Sequence, residues 1–389
     1  MRLPMRRAPR HRATPPNRDV IMLCQLPPPI HGVTMVNRQV MDVLGQQGGT
    51  EIVLLPVGSA DAVDDIGRPS LAKFADLGRT ILVLFRRRLR RGAARIAYLS
   101  FSPTGSASLR DALVAAVGRL AAGRVLVHVH GEGFGELTTD RSLRARLVRA
   151  MLGNCEIIAI TQATAAAAAR SGLFHRVWLV PNSIADPGPV ADRSGDDLLR
   201  IAYLANMQPA KGVYLLLHAL RRLADAGVAF RAHLIGDGTA LLTLSEVRRR
   251  IEKLGLTHQI TVHGPLFGDE KYRVLARSHL FVYPSRHDHA PLVLLEAMAL
   301  GLVPIVLDSG GLAEIVGDEL AVNVLPREVP DDMLELLLMR RIAYYDGRRD
   351  LLSEHAVLAR RRYLAEYTAE RFSVRAISVF SGAADVAAV

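Results

Sequence analysis

RIAYLANMQPAKGVYLLLHALRRLADA, running from Arg200 to Ala226, reads as a strand, a turn and a helix in that order. Arg200–Ala205 is a short apolar run, Gly212–Ala226 carries apolar residues at helical spacing, and Pro209 and Gly212 punctuate the join. Short apolar runs recur before it at Val20–Cys24, Ile52–Val57, Ile96–Phe101, Val125–Val129, Glu156–Thr161 and Val177–Val180. They recur after it at Phe230–Ile235, Gln259–His263, Leu280–Tyr283, Val303–Leu307 and Leu320–Leu325. Helix-length patterns lie between them, among them Val33–Leu44, Ser108–Ala121 and Leu241–Leu254. Runs apolar on both faces and separated by helices indicate parallel sheets covered on both sides. The pattern occurs twice, divided by the Pro-rich stretch Pro181–Ser194. The expected fold is therefore α/β, with two doubly wound Rossmann-like domains, residues 19–183 and 184–365, facing across a cleft. Residues 1–18 hold six Arg, four Pro and no acid, and read as a basic disordered arm. Residues 366–389 read as a final helix that can return to the first domain.

Composition narrows the function classes. The 389 residues are 50% hydrophobic and 22% charged, with no repeat of 20–50 residues, which excludes disordered, collagen-like and solenoid chains. Two cysteines, Cys24 and Cys155, provide neither a disulfide framework nor a Cys-rich zinc site. No apolar run reaches the 18 or so residues of a membrane span, and Val20–Leu26 is too short for a signal peptide. The net charge of +11 is lopsided: residues 1–183 hold 25 Lys and Arg against 12 Asp and Glu. A strongly basic half implies an anionic partner, such as a membrane surface, a nucleic acid or another polyanion. With one Trp, few aromatics near the basic runs and no recognised motif, specific nucleic-acid binding is the weaker reading.

Ligands in such sheets bind beyond the carboxyl ends of strands, so segments after strands carry the chemistry. After the first strand come three prolines, His31, Gly32 and a helix start, where free N–H groups suit an anion. After the fourth come His128 and His130, which share a strand face unless the strand has ended. They lack a third ligand at convincing spacing, so no metal site is expected. Asn206 and Lys211 precede the helix of the opening stretch. A Lys there disfavours the helix but suits an anionic ligand. The chain has only four lysines, so a compact ammonium here is informative. Asp288 and Glu296 bracket a loop and the first turns of an apolar helix; an acid among Leu292–Leu300 needs a partner, and a ribose diol is a natural one. Gly310 and Gly311 open a further helix and suit close approach of a ligand.

In this order the motifs resemble those of the retaining glycosyltransferases of family 4, which adopt the GT-B fold. The resemblance covers nearly the whole chain after the basic arm and is strongest over residues 200–316. There Lys211-Gly212, Gly236-Asp237-Gly238, His263-Gly264, Asp288 with Glu296-Ala297, and Gly310-Gly311 fall in the family's order. The Pro-Pro-Pro-x-His-Gly opening looks like a bacterial branch that builds exopolysaccharide and other surface glycans. The resemblance implies that Lys211 holds the donor diphosphate, with Asn206 standing where an Arg is usual. It further implies that Asp288, in place of the usual Glu, contacts the donor sugar and that Glu296 contacts the ribose. His130, with His128 as the alternative, matches the sugar-proximal histidine, and Gly32 matches the loop near the diphosphate.

The expected activity is transfer of a hexose from a nucleotide diphosphate sugar, with retention, to a glycan or lipid-linked sugar acceptor in surface polysaccharide biosynthesis. No cofactor and no metal are expected: protein charge and helix ends stabilise the departing diphosphate. The rivals are a nucleotide-sugar 2-epimerase of the same architecture and a non-enzymatic nucleic-acid binder. A cytoplasmic chain, peripheral on the inner face of the membrane, is expected from Leu84–Arg91 and Arg141–Met151. In the second segment Leu143, Leu147 and Met151 form a stripe flanked by Arg144, Arg146 and Arg149.

Overall fold

The computed structural model describes residues 19–57, 71–189, 193 and 198–383. The basic arm expected over residues 1–18 lies outside the described residues. The first domain runs β1 (Val20–Leu23), α1 (Gly32–Gln46), β2 (Ile52–Leu54), α2 (Leu71–Arg91), β3 (Ala94–Phe101), α3 (Gly105–Ala121) and β4 (Ala122–Val129). It continues through α4 (Phe134–Thr139), α5 (Leu143–Leu152), β5 (Glu156–Ala159), α6 (Gln162–Ser171) and β6 (Arg176–Leu179). The second opens with β7 (Leu199–Leu204), α7 (Val213–Asp225), β8 (Phe230–Ile235), α8 (Leu244–Lys253), β9 (Ile260–Gly264) and α9 (Gly268–Ala276). Next come β10 (Leu280–Tyr283), α10 (Leu292–Ala299), β11 (Val303–Leu307), α11 (Leu312–Val316), β12 (Val324–Leu325) and α12 (Asp331–Ala343). Two helices, α13 (Arg349–Glu366) and α14 (Ala369–Ser381), finish the chain.

The strands form two parallel six-stranded sheets, ordered β2-β1-β3-β4-β5-β6 and β12-β11-β10-β7-β8-β9. Both faces of each sheet are covered, as the apolar runs require. In β1, Ile21 and Leu23 join one core with α3 and α5, while Val20 and Met22 join another with α1 and α14. Growth of each sheet reverses once, between β1 and β3 and between β7 and β10. Such a reversal opens a crevice at the carboxyl ends of the two strands. One strand is shorter than its apolar run: the first four residues of Leu320–Leu325 belong to a 3-10 turn, Asp318–Asn323, and only Val324–Leu325 pair. Two acids, Asp318 and Glu319, follow Gly317 at φ +79°, and Asn323 turns inward to accept from the Tyr345 hydroxyl at 2.8 Å.

The chain crosses between the domains twice, and the crossings lie side by side. The Ile184 N–H donates to Tyr367 O at 3.2 Å, Ile184 bridges Thr368, and the Tyr363 hydroxyl donates to Ile184 O at 3.2 Å. Beyond that point Thr368 caps α14, accepting from Arg371 N at 3.3 Å, and α14 packs Phe372, Ala376, Val379 and Phe380 into the first domain.

The first-domain surface differs in detail from the expected stripes. Leu84 is buried, and Met151 is partly buried against the core. Arg144 donates to Gly105 O and Ser108 Oγ, and Arg149 to Leu137 O, which turns both toward the protein. The outward apolar residues are Leu82, Phe85 and Leu89 on α2, 46–71% exposed, with Leu143 and Leu147 on α5. Among the described residues no helix is long and apolar enough to cross a membrane.

Phe372 is 1% exposed. Phe372→Ala should cost about 3–5 kcal/mol, read as a lowered urea midpoint. A loss under about 1 kcal/mol would mean that α14 is not anchored by this ring.

Candidate active site

The crevice between β7 and β10 gathers the second domain's polar residues. After β7 the chain turns through a 3-10 segment, Pro209–Lys211, into α7. Gly212, at φ +77°, makes the join, and a Cβ there would stand 2.0 Å from Pro284 O, so only glycine lets the segment after β10 come this close. Lys211 Nζ consequently reaches Asp288 Oδ2 at 2.5 Å and His287 O at 3.2 Å. The Tyr283 hydroxyl donates to the same Asp288 oxygen at 2.5 Å. Burial, with the Asp288 charge next to it, pushes the Tyr283 hydroxyl well above its ordinary value, so it remains a donor. Asn206 is exposed on the loop after β7.

Glu296 lies in α10 and is buried. Lys271 of α9 donates to its Oε1 at 2.7 Å, while Oε2 has no partner. Sequence reasoning missed Lys271 and Tyr283. The signal for Lys271 was the one used for Lys211, since both are rare lysines in an Arg-rich chain. Gly310 and Gly311 precede α11. A Cβ on Gly310 would stand 2.1 Å from Asp288 O, and Gly311 N–H donates to His289 O at 2.7 Å. The close approach made there is by the loop that carries Asp288.

The first domain contributes the crevice between β1 and β3. Gly32 is the exposed first residue of α1 with open space around it. The preceding loop is held by Thr34, whose hydroxyl accepts from His31 N at 3.1 Å and donates to Pro29 O at 2.8 Å. A cavity of roughly 380 Å³ opens here, lined in part by His31, Asn37, Ser100, Arg110 and His130. His128 is the penultimate residue of β4 and His130 follows the strand, their rings 4.0 Å apart. Tyr98 donates to Asn37 Oδ1 at 3.0 Å, so His128 Nδ1, 2.8 Å from the same hydroxyl, carries the hydrogen. His130 Nε2 is buried and unpartnered.

The two halves touch. Ser309 Oγ donates to Glu132 Oε1 at 3.3 Å, Glu314 accepts from Gln162 N–H at the start of α6, and His289 Nε2 lies 3.2 Å from Thr164 Oγ1. His130 and His289 therefore sit close enough to feel each other's charge. Lys211, Asp288 and Glu296 belong to the second domain, and Gly32 and His130 to the first.

Burial first, then the charges of His289 and His31, hold His130 down at about 3, and burial also lowers His128 and His289. The unfolded value is near 6.5, so the folded state favours the neutral rings. Their contribution to stability is whole above about pH 6.5 and is lost as pH falls below it. The melting temperature should fall from pH 7 to pH 5, and His130→Gln should make that slope shallower. An unchanged slope in the variant would mean that His130 is not held neutral by burial.

Residues 192–338 match the family model of the Glycosyl transferases group 1. Over 175 residues the chain is 27% identical to the phosphatidylinositol N-acetylglucosaminyltransferase gpi3 subunit of Schizosaccharomyces pombe, a match covering 44% of this chain and 37% of that protein. The chain thus spans little more than a third of that relative's length. Among solved structures, sucrose-phosphate synthase of Thermosynechococcus elongatus has a TM-score of 0.70 at 18% identity, covering 94% of this chain and 99% of that one. HepE of Anabaena in complex with UDP has a TM-score of 0.67 at 16% identity, covering 94% and 100%. Residues 192–338 thus resemble a glycosyl transferases group 1 domain, and the two parallel-sheet domains share the GT-B arrangement of these solved structures over nearly the whole chain.

Proposed function

We propose that this chain is a retaining, metal-independent hexosyltransferase of family 4 type, moving a sugar from a nucleotide diphosphate donor to a glycan or lipid-linked acceptor in surface polysaccharide synthesis. The observation that carries this reading is the pairing of Lys211 with Asp288 in the β7/β10 crevice of the group 1 domain. UDP is the first donor base to test, because the structurally similar HepE binds it.

In this reading the donor diphosphate takes Lys211 from Asp288, and the released carboxylate, still held by Tyr283, turns to the sugar hydroxyls. Glu296 accepts from the ribose. The bond between the anomeric carbon and the diphosphate oxygen breaks, and its electron pair leaves on the diphosphate. The acceptor oxygen bonds to the anomeric carbon on the same face, and its proton passes to the departing diphosphate. Lys211 stabilises the charge that develops there, as would the N–H groups about Gly32, in place of a divalent ion. His130 is neutral at pH 7 and serves as a hydrogen-bonding partner of the sugar, not as a charge. The cavity between β1 and β3 receives the acceptor.

Thermal-shift titration with UDP-, GDP-, ADP- and dTDP-sugars tests the donor; a ligand at 100 times its Kd stabilises by about 2.7 kcal/mol. Lys211→Ala should lower turnover about a hundredfold or more. Glu296→Gln should raise KM for the donor more than it lowers kcat. Near wild-type turnover in Lys211→Ala would remove the phosphate assignment. Release of an epimerised sugar or nucleotide without acceptor would point to the 2-epimerase instead.

The same reading puts the chain on the cytoplasmic face of the membrane. On α2 the exposed stripe Leu82, Phe85 and Leu89 lies beside exposed Arg86, Arg88 and Arg90, the arrangement of a helix resting on an anionic surface. Each basic residue near such a leaflet adds about 1 kcal/mol. Vesicle flotation should therefore need anionic lipid, weaken with salt, and fall when Phe85 and Leu89 become Ser. Equal flotation with neutral vesicles, or none with either, would leave a soluble acceptor.

A further inference from the structure

The amino-terminal edge of the first sheet, at the opposite end of the strands from the cleft, holds a second concentration of charge. An open cavity of roughly 480 Å³ is lined there by Arg95, Arg119, Arg124, Arg176 and His175, with Glu156 the one carboxylate in its wall. Glu156 is fully engaged. Arg124 clasps both its oxygens, at 2.6 and 2.8 Å, and Trp178 Nε1 donates at 2.8 Å. Among the described residues the other three arginines meet no carboxylate. Each makes one hydrogen bond to a main-chain carbonyl: Arg95 to Ser381 O at 3.4 Å, Arg119 to Gly153 O, and Arg176 to Gly382 O at 2.9 Å. A guanidinium has five N–H donors, so most of their capacity is unspent. The C-terminus of α14, where two of them end, offers only about half an elementary charge. Three guanidinium groups gathered around one cavity repel one another, and an anion entering it lowers that cost.

We propose that this cavity is a binding site for a phosphate-bearing anion, separate from the donor site. Guanidinium forks match phosphate oxygens in pairs. The volume exceeds that of inorganic phosphate and admits a diphosphate or a phosphorylated headgroup. The eight residues of β4, at about 3.3 Å each, put the site about 25 Å from the cleft. A lipid phosphate and a free one share this chemistry, and Leu120, exposed beside Arg119, offers an apolar neighbour to the former. An occupant would also hold Ser381 and Gly382 at the end of α14, the helix that brings the chain back to the first domain.

The test is pyrophosphate titration followed by thermal shift in the Lys211→Ala protein, where the donor site no longer competes for phosphate. Pyrophosphate should raise the melting temperature. In the same background Arg119→Gln with Arg176→Gln should weaken its binding at least tenfold, about 1.4 kcal/mol. In a chain with Lys211 intact, the UDP-induced shift should survive those two changes. No shift with pyrophosphate, or an equal shift in the double variant, overturns the proposal. Should far-UV dichroism show the double variant unfolded, Arg95→Gln decides, since Arg95 is exposed and holds one weak contact. Binding weakened about threefold or more there supports the site, and unchanged binding sinks it. Phosphatidylglycerol vesicles separate the sources. Vesicle binding that falls with the arginine variants identifies a lipid phosphate; unchanged vesicle binding beside lost pyrophosphate binding identifies a soluble one. Retention of single-stranded RNA by these arginines without pyrophosphate binding would overturn the site in favour of a polynucleotide surface.

Discussion

Everything in the second domain's crevice follows from the reversal of sheet growth between β7 and β10. Adjacent strands send their following helices to opposite faces, so the loops after them part and leave a gap. What fills that gap is set by backbone contact. Gly212 lets the Pro284 carbonyl lie where a side chain would be, and Gly310 does the same for the Asp288 carbonyl. The loop carrying Asp288 is thus pressed between the turn before α7 and the turn before α11. Among the described residues Asp288 is the carboxylate that Lys211 pairs with, and this packing brings the two together.

The ligand-free cleft neutralises itself. Lys211 pairs with Asp288 between partly exposed side chains, and Lys271 pairs with the buried Glu296. The first pair is worth little while water still reaches it, so exchanging one partner for a ligand costs little there. In the proposed reading a diphosphate with two or more charges displaces the single carboxylate from Lys211, and the carboxylate then faces whatever the diphosphate carries. The orphaned Oε2 of Glu296 is different, because a buried acceptor without a donor is an uncompensated loss until a hydroxyl or a water arrives. In the first domain His128 Nε2 and His130 Nε2 are likewise buried without partners.

Much of the fold was legible because parallel strands covered on both faces leave an unmistakable mark: short runs with no polar alternation. Twelve runs correspond to twelve strands among the described residues, and only Leu320–Leu325 is mostly turn, where neighbouring acids compete with pairing. The site was legible in part. Lys211 and Asp288 stood out by position after strands, but their contact is long-range and no local spacing encodes it. Lys271 and Tyr283 were invisible for the same reason: one sits within a helix and one ends a strand, where the bland readings of solvated lysine and core aromatic prevail. Arg144 and Arg149 show the opposite error. Their spacing suggested a charged flank, whereas long side chains can fold back onto carbonyls of neighbouring loops, which no helical wheel reports.

The lopsided charge of the sequence likewise resolves into several jobs instead of one. Some first-domain arginines are consumed internally, as in Arg87 with Asp19 and Arg124 with Glu156. Others cap carbonyls, where a rigid planar fork with several donors outperforms an ammonium. Others, Arg86, Arg88 and Arg90 on α2 among them, point outward. The few lysines divide differently, since Lys211 and Lys271 both stand against cleft carboxylates. A compact ammonium on a flexible stem can change partners with little rearrangement, whereas a guanidinium locked in two hydrogen bonds cannot. In the proposed reading Lys211 is accordingly the charge that changes partner when a ligand enters, while pairs such as Arg124 with Glu156 stay in place.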